Sequence, residues 1–298
     1  MQKDRIIIHL KYIYMIDNYV DNPKSIKFYV KRYLKSIKNE LTGKIVIDIP
    51  AGNGATSEIL NDLGAKVESF DLFPEYFKLQ NIECKRADIV DKIPLEKEYA
   101  DVLICQEGIE HFSDQLKVFK EFNRILKNKG KLIVTTPSYS NLAAKFSYLL
   151  FESESNNKMP PNEIDDIWMS DKSIINTIYH GHIFLIGMQK LRMIAKLSGF
   201  KIDKILYTRV SKGSLLLFPI FYPLILLRSL LTYYNNMQKD KNLSKTRKKD
   251  VYMEQLRINI SPSNLINRHI FVVFKKEIDC DDIDFRNDKL IVSFDMAT

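Results

Sequence analysis

Lys44-Ile45-Val46-Ile47-Asp48-Ile49 passes without a break into Pro50-Ala51-Gly52-Asn53-Gly54, and that junction restricts the fold more than any other stretch of the chain. Four β-branched residues in a run of six read as a short strand buried on both faces, because the run is too compact for a helix. Glycines where the strand turns into the next element let backbone approach a bound group closely, and a helix starting there offers N–H groups with no intrahelical partner. Upstream, residues 24–41 set Ile26, Tyr29, Val30, Tyr33, Leu34 and Ile37 at helical spacing between lysines, and Gly43 closes the helix.

Downstream the pattern alternates. The spacing predicts a helix over Thr56–Leu63, strands over Lys66–Asp71 and Ala100–Cys105, a helix over Asp114–Leu126 and a strand over Lys131–Thr136. A helix over Met188–Leu197, a strand over Phe200–Tyr207 and a last strand over His269–Phe274 complete the series. Such alternation needs crossover connections, which gives an α/β fold with a parallel sheet and helices on both faces. Residues 152–173, rich in Ser, Asn, Pro and acids, read as a loop or lid.

With 298 residues, 45% hydrophobic and 28% charged, the chain can bury a full core, which excludes a disordered tail or a stapled miniprotein. Cys84, Cys105 and Cys280 are odd in number and form no CxxC pair, so neither a disulfide framework nor a thiolate zinc site is expected, and a reducing compartment is. The apolar Ile6-Ile7-Ile8 is cut by His9 and Lys11 and has no small-residue cleavage site. A secretory signal is therefore not expected, and the chain is placed in the cytoplasm.

The glycine loop alone fits many nucleotide binders. A dinucleotide fingerprint would need a third glycine where Ser57 stands, which argues against a nicotinamide-dependent dehydrogenase. Asp71, at the end of the second strand, is positioned to accept the two hydroxyls of a ribose. In order along the chain stand Asp48-x-x-x-Gly52-x-Gly54, Asp71, Ala87-Asp88-Ile89, the strand Ala100–Cys105 and Arg124-Ile125-Leu126-Lys127-x-x-Gly130-Lys131-Leu132-Ile133-Val134-Thr135-Thr136-Pro137. Over about residues 44–207 this combination resembles the class I S-adenosylmethionine-dependent methyltransferases. The resemblance implies a Rossmann-like, mostly parallel seven-stranded sheet flanked by helices, with an insertion before the last strand. It implies S-adenosylmethionine as cofactor, surrounded by Asp48, Ala51, Gly52, Gly54, Asp71, Leu72, Asp88, Ile89 and Gln106. Pro50 departs from the family loop, whose first glycine it replaces; it brings no N–H donor and fixes its own φ.

An activated methyl donor leaves the protein mainly to align an acceptor and, where that is a hydroxyl, to help remove its proton. The acceptor side lies beyond the carboxyl end of Val102–Cys105, where Gln106-Glu107-Gly108-Ile109-Glu110-His111 follows. Glu107 and Glu110 share a face if this segment turns helically, and oxygen ligands with imidazole suit Mg²⁺ or Mn²⁺. The ExxEH string resembles the metal motif of small-RNA 2′-O-methyltransferases and the related motif of ubiquinone-biosynthesis O-methyltransferases, which implies a site of Glu107, Glu110, His111 and His182. In the metal-free alternative Glu107 lines the cofactor pocket and His111 caps the next helix, or His111 or His182 acts as general base.

The chain divides into an N-terminal helical segment (1–43), a core (44–212), an apolar and basic insertion (213–254) and the last strand with a tail (255–298). Leu215–Leu227 is an uncharged apolar run containing Pro219 and Pro223, too short to span a bilayer and suited to a shallow or re-entrant contact. Lys239, Lys241, Lys245, Arg247, Lys248 and Lys249 follow it and suit an anionic membrane surface. A dimer interface or a helical hairpin packed on the domain are the alternatives, and RNA is not favoured because no aromatics interleave the basic run. The net charge of +8 sits here: residues 201–250 hold eleven Lys or Arg and three Asp or Glu, and the rest of the chain balances. The activity expected is O-methylation of a membrane-associated or lipid-linked small molecule or sugar, at the inner face of the cell membrane. The alternatives are methylation of RNA or a soluble metabolite, and a non-catalytic membrane-bound adaptor.

Overall fold

The computed structural model describes residues 19–169, 178–239 and 244–283. Ile6–Ile8, Lys241 and the tail beyond 283 lie outside the described residues. The elements in order are α1 (Ile26–Ser36), α2 (Lys38–Leu41), β1 (Ile45–Asp48), α3 (Ala55–Asp62), β2 (Lys66–Asp71), β3 (Cys84–Arg86) and β4 (Ala100–Gln106). They continue with α4 (Gln115–Ile125), β5 (Leu126–Pro137), α5 (Leu142–Phe151), β6 (Ile167–Met169), β7 (Ile178–His180), α6 (Met188–Leu197) and β8 (Phe200–Ile205). Last come α7 (Lys212–Gln238), α8 (Lys245–Ile260), α9 (Pro262–Ile266) and β9 (His269–Lys276).

Seven strands form one sheet in the order β3-β2-β1-β4-β5-β9-β8. β1 runs parallel to β2 and β4, β4 to β5, and β2 to β3, while β9 is antiparallel to both β5 and β8. This is a Rossmann-like, mostly parallel sheet with its insertion ahead of the last strand. Period-two alternation sends neighbours to opposite faces. Ile47, Leu103, Val134 and Phe274 meet Phe119 and Phe122 of α4 and Leu191 of α6 on one side. Val46, Ile104, Ile133 and Val273 meet Val30 and Leu34 of α1 and Leu60 of α3 on the other. Ser25 caps α1 through Lys27 N, and Asp114 caps α4 through Lys117 N.

The segment 152–173, expected as a loop or lid, runs irregularly to residue 166 and then enters β6, which pairs antiparallel with β7. The insertion departs further from expectation. Leu215–Leu227 belongs to a single helix, α7, of 27 residues with Pro219 and Pro223 inside it, longer than the apolar run alone, and α8 folds back along it as in the helical-hairpin alternative. The prolines withdraw donors from the carbonyls of Leu215 and Pro219, which stand at exposed positions where other partners can reach them. α8 then continues past residue 254, so the expected boundary there falls inside a helix.

Candidate active site

The loop after β1 builds one half of the site. Gly52 has φ +53 and Gly54 φ +91, left-handed values that favour glycine. A Cβ on Gly52 would meet nothing within 4 Å, so the backbone there faces open space a ligand can fill, whereas one on Gly54 would strike Phe77 at 2.9 Å. Asp71 is fixed in orientation because Gly52 N donates to Oδ2 at 2.7 Å and Phe73 N to Oδ1 at 2.8 Å. Ala51 is buried, and its N–H donates to Phe70 O. Leu72 is half-buried beside Asp71 and Ile89 is in the core, while Asp88 is exposed and accepts from Val90 N. Gln106 Oε1 accepts from Thr56 Oγ1 at 3.0 Å, joining the end of β4 to the start of α3.

Asp48 serves the site from beneath. Its side chain is 1% exposed, and Ser57, at the position where a dinucleotide loop would carry glycine, donates to Oδ2 at 2.6 Å. Burial pushes its carboxyl up to about 7 against the lowering effect of that hydrogen bond. Lys27 of α1, which sequence reasoning passed over, reaches Asn53 Oδ1 at 3.3 Å and so touches the loop from the N-terminal segment.

The second half lies at the carboxyl ends of β4 and β5. Glu107 adopts φ +50, uncommon for a residue with a side chain. Its N–H donates to Thr135 O at 2.9 Å, and Oε1 accepts from Thr135 Oγ1 at 2.9 Å. Oε2 lies 3.4 Å from His269 Nε2, with 27% of the Glu107 side chain still exposed. Burial pushes its carboxyl up to about 7 despite the Thr135 hydrogen bond. Glu110 is fully buried, accepts from Thr136 Oγ1 through Oε2 and leaves Oε1 without a partner. Burial, reinforced by the charge of Glu107, holds its carboxyl well above the usual carboxylate range.

His111 and His182 have ring centroids 5.4 Å apart. His111 Nδ1 is 3.2 Å from Gly181 O, and His182 Nδ1 is 3.6 Å from Glu154 Oε1. Burial raises the Glu154 carboxyl, but hydrogen bonds from His182 and Lys158 outweigh it and hold the group at about 2. Glu110, His111 and His182 bring one ligand atom each to within 4.8 Å of one another. Glu107 is not part of that trio, because its carboxylate is turned to Thr135 and His269. The cap of α4 belongs to Asp114, which removes the capping role considered for His111.

His269 completes the constellation and was not foreseen. Register places it opposite Pro137, at the carboxyl end of β5. Its Nδ1 is buried without a partner, and burial, with Arg268 and Arg209 nearby, pushes the imidazole down to about 4. It is neutral at physiological pH. No local motif marks it; only the pairing of β5 with β9 brings it to Glu107 across 162 residues of chain.

Comparison with known proteins fits this geometry. The model of the methyltransferase domain family matches residues 47–134, from β1 through most of β5. Residues 47–134 are thus similar to a methyltransferase domain. The ubiquinone biosynthesis O-methyltransferase of Xanthomonas oryzae pv. oryzae is 33% identical over 110 residues, 34% of this chain and 46% of that protein. The protein of the same description from Xanthomonas campestris pv. campestris is 30% identical over 105 residues, 32% and 44% of the two chains. The chain thus spans just under half the length of the curated relatives it matches. A SAM dependent methyltransferase from Archaeoglobus fulgidus superposes with a TM-score of 0.51 at 12% identity, covering 87% of this chain and 98% of that one. That likeness shows the fold alone, the mostly parallel seven-stranded sheet flanked by helices. Family and fold together support S-adenosylmethionine as cofactor, and the open backbone at Gly52 beside the fixed carboxylate of Asp71 fits it.

Proposed function

We propose that this chain transfers a methyl group from S-adenosylmethionine to a hydroxyl oxygen of a membrane-associated or lipid-linked acceptor, a small molecule or a sugar, at the cytoplasmic face of a membrane. The observation that carries the reading is the position of the Glu107 carboxylate: partly exposed, at the carboxyl end of β4, with the glycine loop on one side and His269 on the other. The bound cofactor supplies a methyl on a sulfonium, already activated toward an oxygen nucleophile. What the chain adds is alignment and a proton acceptor. Glu107 would take the proton of the acceptor O–H as that oxygen receives the methyl, and S-adenosylhomocysteine would be the leaving group. Thr135 and His269 hold the carboxylate in place, and Asp71, fixed by Gly52 N, would hold the cofactor. His111 and His182 face the same space and line the acceptor side.

The trio of Glu110, His111 and His182 suits a divalent cation such as Mg²⁺ or Mn²⁺, since Glu110 carries a buried oxygen in need of a partner and the donors are oxygen and imidazole. When bound, the ion would polarise an acceptor hydroxyl. The acceptor class is supported by the apolar surface of α5 and α7, because α5 leaves β5 at the edge where the site lies.

S-adenosylhomocysteine is expected to raise the melting temperature of the purified chain; no shift overturns the reading. Membrane extracts are then expected to contain a species that gains the mass of one methylene. A thermal shift with no product from membrane, soluble or RNA pools would leave the adaptor alternative. Full turnover in excess chelator would remove the metal and leave the Glu107 mechanism intact.

A further inference from the structure

α7 is about 40 Å long, and Ser214 is its only buried residue. Leu216, Ile220, Leu224, Leu227, Leu231 and Tyr234 are exposed and recur every three or four residues, which aligns them in one stripe roughly 27 Å long. On the neighbouring α5, Leu149 and Leu150 are exposed to 77% and 59%. The two helices are joined by the Phe146–Phe221 contact and by Ser214 Oγ, which donates to Asn141 Oδ1 at 2.9 Å. Another side of α7 meets α8. There Arg228, Ser229, Tyr233 and Asn236 face Tyr252 and Asn259 across a cleft of about 380 Å³.

We propose that α7 lies flat in one leaflet of an anionic bilayer, its leucine stripe among the acyl chains and Arg228 on a lipid phosphate in the cleft beside it. Charge selects the occupant. No acid occurs from Lys212 to Lys239, while Lys212, Arg228, Lys239, Lys245 and Lys249 are exposed, and among the described residues no acid pairs with Arg228. A second copy of this chain on the same face would set these cations against one another, whereas anionic head groups neutralise them.

The packing selects the orientation. By length and composition α7 could cross a membrane, yet α8 is fastened along it. Asn259 donates to Ser229 Oγ at 2.6 Å, and Lys248 Nζ donates to the carbonyls of Met237 and Lys239. α8 is in turn tied to the domain by the buried pair of Glu254 with Arg192 on α6. A crossing helix would have to carry this charged neighbour into the hydrocarbon, and a flat one does not. The bonds from Ser214 to Asn141 and Ala143 also set the start of α7 four residues past Pro137, at the edge that carries the site.

The inference deepens the reading of a membrane-held acceptor, but its test uses no turnover, so either can fail alone. The full chain is floated with vesicles of phosphatidylcholine and with vesicles in which about a third of the lipid is phosphatidylglycerol. It is expected to rise with the second and stay behind with the first. Ile220→Asn with Leu224→Asn is expected to lower vesicle binding by about tenfold or more, and Arg228→Gln by several-fold, with the shift from S-adenosylhomocysteine preserved in both. A tryptophan introduced as Leu224→Trp is expected to be quenched best by lipids brominated at shallow acyl positions. Unchanged flotation of the double variant, strongest quenching from the bilayer centre, or a dimer that the double variant dissociates in place of vesicle binding each overturns the proposal. Unchanged binding of Arg228→Gln removes the phosphate contact from it.

Discussion

The ring of Pro50 rests on Gly108: a Cβ added to Gly108 would stand 2.5 Å from Pro50 Cδ and 2.7 Å from Cγ. Pro50 is thus accommodated by a glycine 58 residues later, and the glycine loop is pressed against the segment that carries Glu107 and Glu110. Gly108 has φ −130, so the constraint is steric and not a matter of backbone conformation. Gly108→Ala is expected to cost about 1–3 kcal/mol in denaturant unfolding and to weaken binding of S-adenosylhomocysteine. Pro50→Gly in the same chain is expected to return part of both losses, a coupling that a double-mutant cycle measures.

Asp48 gives the domain a pH dependence of definite sign. Its folded value of about 7 lies above the roughly 3.9 of an unfolded aspartate, so the folded chain keeps a proton that the unfolded chain releases. The stability this confers is full below about pH 4 and declines as pH rises to about 7, at up to about 1.4 kcal/mol per pH unit. Asp48→Asn, which retains an acceptor for Ser57, is expected to flatten that part of the stability profile. An equal slope in wild type and variant would show that Asp48 is already ionised in the fold.

Glu107→Gln preserves the acceptor for Thr135 but not the base, and is expected to reduce turnover by about 10²–10⁴-fold with binding of S-adenosylhomocysteine unchanged. His269→Asn is expected to slow the reaction less. Because the two side chains act as one unit, the double variant should be little worse than Glu107→Gln alone. Additive losses would separate them.

The Arg192–Glu254 pair fixes α8 to the domain, both side chains being less than a tenth exposed. Arg192→Ala leaves a carboxylate buried with only Lys196 beside it, and a loss of about 3–5 kcal/mol is expected by thermal or chemical unfolding. Arg192→Met combined with Glu254→Leu should recover most of it, because the uncompensated charge is then gone.

The sequence was legible wherever local chemistry and fold agreed. The β-branched run of β1, the glycine turn and the amphipathic α1, α4 and α6 carry their own period, and the sheet followed from their alternation. β3 was missed because Cys84-Lys85-Arg86 is short, polar and at the edge of the sheet. The length of α7 was underestimated because the apolar run stops at Leu227 while the helix continues through polar residues to Gln238. Of the candidate site, Glu107, Glu110 and His111 could be found because they fall within five consecutive residues, and His182 because a family pattern pointed to it. His269 could not be, since nothing but long-range strand register brings it into contact.

The sheet order fixes when this domain can close. β9 is the last strand in the chain, yet it lies between β5 and β8, so β8 has no partner in the sheet until β9 arrives. As the chain emerges from the ribosome, the apolar stripe of α7 is therefore presented while the sheet is still open at that edge. The sheet is complete only once the chain has passed through α7 and α8, so closing it must span the whole insertion.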